Sequence, residues 1–391
     1  MISWNLISII VFYWLIALFF IKHRHRISVQ GRILFLYRTE EGLNFIRRLA
    51  QRFKAFFRAF GYIAIPVGFG GLFIILAFLT LKAFNIFTAK VPPTAGVALA
   101  IPGVRIPGSP LFIPFWYGII ALIIIIAVHE SAHGLVAKAH GLKLKSAGVG
   151  LLAVLPIAFV EPDEEQLRKQ SIRTQLSVFA AGPFANICTA LVAALVGGFL
   201  IAPIAAAVVD PAGIYVVDTM ADFPAAEAGL QNGDLILSID GQPVNMVEDF
   251  AKAMAVVTPN QSIELTTSRG SMAIRTTSDP QNASRAYIGV SFKQNFELKD
   301  QVAGRFGTKL PWSPFYLFQL LNWIFVLNLG IGVVNLLPLG PIDGGRMVKV
   351  CLERAMKNKV LINKIFIAIT AFSLTVLILN LIGPYLMRLF I

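Results

Sequence analysis

The chain has little of what a secreted or water-soluble protein needs. Two cysteines, Cys188 in an apolar run and Cys351 in a basic stretch, supply no disulfide framework. Charged residues make up only 14% of 391 residues against 56% hydrophobic, which excludes a soluble domain of ordinary composition. Histidine is scarce, with five residues in all, so any metal site must draw on a second ligand type. The apolar stretch over residues 1–21 has no basic segment before it and no small-residue cleavage site after it. Its charges (Lys22, Arg24, Arg26) follow, so it reads as an uncleaved span with its N-terminus outside rather than a signal peptide.

What the sequence does have is apolar runs of about 20 residues, long enough to cross a hydrocarbon core. Six spans are expected, at about 2–21, 61–84, 114–138, 176–206, 314–338 and 361–383. Of the 34 Lys and Arg residues, about 22 fall in segments 22–58, 138–173 and 346–364, all on the cytosolic side of that topology. The net charge of +13 is therefore a positive-inside bias, and no nucleic-acid surface is expected. The predicted fold class is a polytopic α-helical membrane protein with about six transmembrane helices and one inserted extracytoplasmic α+β domain. Its expected place is the lipid bilayer.

Four regions follow. Residues 1–113 hold two spans, a cytosolic basic segment and an outer loop. In the segment, Leu43, Ile46, Leu49, Phe53, Phe56, Phe57 and Phe60 recur at helical spacing between arginines and lysines. That pattern fits a helix lying on anionic headgroups or one packed on the protein's own spans. Residues 85–113, with Val91-Pro92-Pro93, Pro102-Gly103 and Pro107-Gly108, form an outer loop or a short re-entrant element. Residues 114–209 and 310–391 are the two halves of a membrane core. Between them, 210–309 is the one long polar stretch.

Within that polar stretch, Gly213 to Val217, Pro224 to Leu230 and Gly233 to Gly241 read as strand, short helix, turn, strand and an Asp-Gly turn. The run resembles a PDZ domain. That resemblance implies an exposed edge at Ile214, Tyr215, Val216 and Val217 where an extended peptide adds as a strand, or else a spacer or lid.

The chemistry begins at His129-Glu130-Ser-Ala-His133, inside the third span. Positions i and i+4 share a helix face, so both imidazoles can bind one cation, and Glu130 lies about 100° round, close enough to serve as general base for a water. Ionisable groups at membrane depth are costly and mark function. A third ligand is needed, and His, His and carboxylate is an established catalytic zinc set. The acid with suitable surroundings is Asp343, in Asn335-Leu-Leu-Pro-Leu-Gly-Pro-Ile-Asp-Gly344, where the prolines and glycines break the fifth span. His129 lies roughly 21 Å below Phe115 at 1.5 Å per residue, in the cytosolic half where Asp343 also emerges. In Phe179-Ala-Ala-Gly182-Pro-Phe-Ala-Asn186, small residues permit close helix approach. The Asn186 amide either contacts a substrate carbonyl or oxyanion, or makes a structural interhelical bond.

Together, these three motifs in this order, with a PDZ-like insert before the last, resemble the site-2 protease family of intramembrane zinc metalloproteases, closest to its PDZ-containing prokaryotic type. The resemblance covers about residues 114–360. It implies one Zn2+ on His129, His133 and Asp343, Glu130 as general base, and Asn186, Gly182 and Asn335 positioning the scissile peptide. It further implies single-span membrane substrates, regulated intramembrane proteolysis after an upstream site-1-type protease, and a PDZ domain that filters by size or binds the new end. Helix-weakening residues are expected near the cut, with a β-like edge at Gly148 to Leu155 clamping the unwound chain. A transporter would account for the buried acids but not for a glutamate beside the histidine pair. A proteolytically dead scaffold would need neither that base nor the ligands.

Overall fold

The computed structural model describes residues 4–30, 34–88, 97, 101–104, 106, 111–152, 155–280 and 282–387. The chain begins with α1 (Trp4–Lys22), β1 (Ile27–Gln30), β2 (Leu34–Arg38), α2 (Glu40–Arg52), α3 (Lys54–Thr88) and α4 (Phe115–Ala139). Then come β3 (Leu144–Leu152), β4 (Leu155–Pro162), α5 (Glu164–Arg168) and α6 (Ile172–Leu195), which runs on through a π-helical stretch (Val196–Ile201) into α7 (Ala202–Val208). The sheet domain comprises β5 (Val209–Thr219), α8 (Pro224–Glu227), β6 (Leu235–Ile239), β7 (Gln242–Pro243), α9 (Val247–Ala255), β8 (Ser262–Thr267), β9 (Gly270–Arg275), β10 (Thr277–Asp279), β11 (Asn282–Tyr287) and β12 (Val290–Leu298). It is followed by α10 (Asp300–Phe306), α11 (Ser313–Val334), α12 (Asp343–Ala355) and α13 (Lys359–Met387). The chain divides into two compact units, Met1–Gly197 with Gln319–Ile391, and Gly198–Phe318.

Among the described residues, five helices are long and apolar enough to cross a membrane: Lys54–Ile86, Phe115–Ala139, Ile172–Val208, Leu310–Val334 and Lys359–Gly383. The expected first span corresponds to a shorter apolar helix, Leu6–Lys22. Of the expected 85–113 loop, Val91, Pro92, Pro93, Pro107 and Gly108 lie outside the described residues. Pro102 and Gly103 form a turn in which the Gly103 N–H donates to Ile113 O at 2.8 Å.

The basic segment is two helices rather than one. Thr39 caps α2, its hydroxyl accepting from Gly42 N at 3.0 Å, with Glu40 and Glu41 in the first turn where the helix dipole favours them. Leu43, Ile46 and Ala50 are buried, and Leu43 and Ile46 pack with Ala132, Val136 and Ala137 of α4. The helix therefore covers the protein's own core, each large apolar side chain contributing about 1.5–3 kcal/mol. It breaks at Phe53, so Phe56, Phe57 and Phe60 start α3, where the Phe60 ring meets Phe184 at 4.7 Å.

One feature of this unit was not expected from residues 22–58. The stretches Ile27–Gln30 and Leu34–Arg38 are strands, and they join β3 and β4 in a four-stranded antiparallel sheet of order β1-β2-β3-β4. Arg38 pairs with Gly148, and Gly148 pairs on its other side with Phe159. The expected clamp edge at Gly148 to Leu155 is thereby corrected. Gly148 to Leu152 lie in β3, whose backbone is used on both sides, and among the described residues the free edge on that side is β4.

In the second unit the expected strand, short helix and Asp-Gly turn are present, Asp240 and Gly241 having φ of 48° and 74°, the left-handed pair that a tight hairpin requires. The main sheet has order β12-β5-β6-β8-β9, with β7 on β6, over a core of Ile214, Ile236, Ile239, Ile263, Leu265 and Ile274. That order corrects the expected peptide edge. Ile214 and Tyr215 pair with Gln294 and Lys293 on one side and with Ile236 and Leu235 on the other. Val216 pairs with Phe292, and its N–H donates to Asp234 O at 2.8 Å; Ile214 and Val216 are buried. Ile214, Tyr215 and Val216 thus have partners on both sides, and with Val217, which falls at a register shift in the pairing with β12, they belong to an interior strand. The outer strand is β12, beside a cavity of about 150 Å3 lined by Phe250 and Met254 of α9 and by Tyr287, Ile288, Val290 and Phe292.

Candidate metal centre

Four elements of the first unit build the centre, and each has a local reason for its path. On α4, His129 and His133 stand one turn apart and their ring centroids lie 4.8 Å from each other. Against α4 runs α6, whose Ala180, Ala181, Gly182 and Ala185 are buried, small side chains that let two helices approach closely. Gly182 faces the two imidazoles. A Cβ there would lie 2.7 Å from His129 Nε2 and closer still to His133 Nε2, so no larger residue leaves the imidazoles in place.

The third contribution comes from the break after α11. Pro338 and Pro341 cannot continue a helix, and the chain folds back so that the Gly344 N–H donates to Asn335 O at 2.8 Å. A Cβ at Gly344 would strike that turn, 2.5 Å from Leu337 O and closer to Leu336 O. Asp343 is the first residue of a new helix, α12, buried in a helix N-terminal turn where a carboxylate is favoured.

These paths bring the three expected ligands together. His129 Nε2 lies 3.1 Å from Asp343 Oδ2, His133 Nε2 lies 3.4 Å from Asp343 Oδ1, and the two Nε2 atoms are 3.1 Å apart. A tetrahedral zinc ion with bonds of about 2.0–2.1 Å has ligand-to-ligand edges of about 3.3–3.4 Å. The three contacts are of that order, those to Asp343 reaching its two different oxygens, and one ligand atom from each residue can be chosen so that all lie within 4.8 Å of one another. Two nitrogens with one carboxylate match the donor set of a catalytic zinc ion. Among the described residues this is the sole group of three or more potential ligands.

The ligands open on a cavity of about 910 Å3. Glu130 lines it, and its carboxylate accepts from the Val160 N–H of β4 at 3.4 Å. Asn335 lines it too, as do Phe159 and Val160 on the free strand, and Leu36 and Arg38 of β2. Asn186 does not line it. Its side chain is wholly buried, with Nδ2 3.1 Å from His129 Nδ1. His133 faces an acceptor instead, its Nδ1 lying 2.7 Å from Val178 O. The spacing of motif residues points to the ligands. A backbone carbonyl such as that of Val178 carries no signal in the residue types, and β2 joins the cavity through a pairing some 110 positions long.

Residues 117–380 match the profile of Peptidase family M50. An uncharacterised protein of Methanocaldococcus jannaschii is 30% identical over 342 residues, covering 87% of this chain and 82% of that protein. A Clostridium perfringens protein assigned as a zinc metalloprotease is 25% identical over 311 residues, 62% of this chain and 89% of the other. Among solved structures, the PDZ domain of an SdrC-like protein of Listeria monocytogenes is 26% identical, covering 21% of this chain and 87% of that one with a TM-score of 0.19.

Proposed function

The chain belongs to peptidase family M50, and from that premise we propose that this membrane-embedded zinc metalloprotease cuts peptide bonds in or near the transmembrane segments of other membrane proteins. The observation that carries the reading is the cluster of His129, His133 and Asp343, whose side-chain contacts are 3.1 to 3.4 Å, at the wall of a cavity of about 910 Å3 among apolar helices. In this reading those three side chains hold the zinc ion. When bound, the ion supplies Lewis acidity, polarising the scissile carbonyl and lowering the pKa of water toward about 7.

The remaining roles fall to the chain's own groups. Glu130 takes a proton from the attacking water and returns it to the leaving amine as the C–N bond breaks, giving a carboxylate and an amine. Asn335 presents an amide to the substrate from the cavity wall. A transmembrane helix hides its peptide bonds, so the substrate must unwind, and the open edge of β4 offers N–H and C=O groups that an extended chain can pair with. Substrates therefore carry Gly, Pro or Asn near the cut. The basic segments put this site in the cytosolic half of the bilayer and the sheet domain outside. There the groove between α9 and β12 either takes the end of a chain already shortened by another protease, or the domain screens substrates by size.

The test uses full-length protein in detergent with a model single-span substrate. Glu130→Gln should bind zinc as the parent does, by metal analysis, and lose about 10²–10⁴-fold in cleavage rate. Cleavage persisting in that variant, or a parent that holds no zinc, ends the proposal.

A further inference from the structure

Asn186 stands apart from the other polar groups of the centre. Its side chain is fully buried and away from the cavity, its Nδ2 faces His129 Nδ1 at 3.1 Å, and its Oδ1 has no hydrogen-bond partner. An acceptor stripped of water and left unpaired in an apolar helix pair costs about 1–3 kcal/mol, so its state requires a reason.

The metal-bearing form supplies one. An imidazole that gives its Nε2 lone pair to a cation carries its proton on Nδ1, and Nδ1 is then a donor. An amide NH2 facing that donor is repulsive. A half-turn of the carboxamide about Cβ–Cγ leaves its shape unchanged but exchanges oxygen for nitrogen. The contact becomes an Nδ1–H to Oδ1 hydrogen bond, so the acceptor gains its partner while the NH2 takes the position the oxygen leaves. The second histidine already has this arrangement, with Val178 O as acceptor for His133 Nδ1 at 2.7 Å. Val178, Gly182 and Asn186 are four residues apart in turn and therefore lie on one face of α6. That face carries an acceptor for each imidazole, and between them the glycine that gives both rings room.

We propose that Asn186 is a positioning residue for the metal rather than a contact for substrate: its Oδ1 accepts the Nδ1 proton of His129 and fixes the tautomer and ring plane that present Nε2. The inference rests on the zinc reading above, and its test is a binding measurement that needs no proteolysis. Loss of an outer partner of a ligating histidine weakens metal affinity about 10–100-fold.

Zinc affinity of the full-length chain in detergent, measured by competition with a chelator, should fall by that factor in Asn186→Leu. In Asn186→Asp, which keeps an acceptor and has no donor, it should stay within a few-fold of the parent. Three results overturn the inference. Asn186→Leu could bind zinc as the parent does while losing cleavage, the signature of a substrate contact. Asn186→Asp could be as weak as Asn186→Leu, the signature of a donor or of packing alone. Or the parent could bind no zinc, which removes the metal reading itself. Should Asn186→Leu fail to fold, Asn186→Ala against Asn186→Asp carries the same comparison.

Discussion

The two units of this chain build their interiors from opposite materials. In the sheet unit the wholly buried side chains are large and branched: Ile214, Ile236, Ile239, Ile263, Leu265 and Ile274. Around the metal centre, large side chains such as Ile125, Val136, Leu336 and Met347 are buried too, but they stand with buried alanines, Ala132, Ala137, Ala180, Ala181 and Ala185, and with polar groups, His129, Asn186 and Asp343. Water drives the first kind of core, because removing apolar area from water is itself favourable. Lipid tails are as apolar as any side chain and offer no such drive between helices, so the second kind relies on close backbone approach and polar pairing. The lesson is that volume carries the sheet unit, whereas shape and hydrogen bonds carry the centre.

That contrast can be broken at four points. The largest effect belongs to Asp343→Ala, which leaves two imidazoles without their carboxylate. Zinc affinity should fall by more than the 10–100-fold that an outer partner is worth, by chelator competition, while amide exchange across the sheet unit stays unchanged. Second, Ile236→Ala should destabilise the sheet unit by about 2–5 kcal/mol, read as faster hydrogen exchange of β5, β6 and β8, with zinc affinity untouched. Third, Gly182→Ala adds one methyl where the imidazoles lie. It should cost about 1–3 kcal/mol in the stability of the membrane unit and weaken zinc binding, and a neutral result would show that the α4–α6 contact is not shape-limited.

The smallest effect concerns pH and the sheet unit alone. Hydrogen bonds from the Arg269 guanidinium hold the Asp234 carboxyl below the usual range, although burial pushes it the other way. A folded pKa below the unfolded one of about 3.9 means the contribution is complete above that value and is lost as pH falls through the folded pKa. Asp234→Asn should therefore lower stability slightly at neutral pH and flatten its decline below about pH 4, as followed by hydrogen exchange. Arg269 is half-exposed, so solvent keeps the effect modest.

Much of the centre was legible in the residues. The i, i+4 histidines, the glutamate beside the first and the Asp343 that follows two helix-breaking prolines could all be read, because each depends on local periodicity or backbone stereochemistry. The errors came where a strand's neighbours decide its role. Gly213 to Val217 read well as a strand, yet its interior position depends on β12, about 75 residues further on. The strand at Gly148 likewise lost its open edge to residues 34–38, which read as part of a basic segment. Asn186 stood out in the sequence as an amide inside an apolar span, but which neighbour it meets is a property of how α6 lies against α4.

By itself, then, the sequence determined the apolar spans, the polar insert and the residue types of a zinc-binding set, since hydropathy, charge bias and helical spacing act within short stretches of chain. Only the tertiary structure decided that ligands 210 residues apart close to within 3.4 Å, that among the described residues β4 and β12 rather than β3 and β5 keep open edges, and that Asn186 faces an imidazole instead of the cavity. The physical reason is common to all three. Strand order and helix packing are set by contacts between distant segments, and no local pattern records which partner a backbone edge or a buried amide will find.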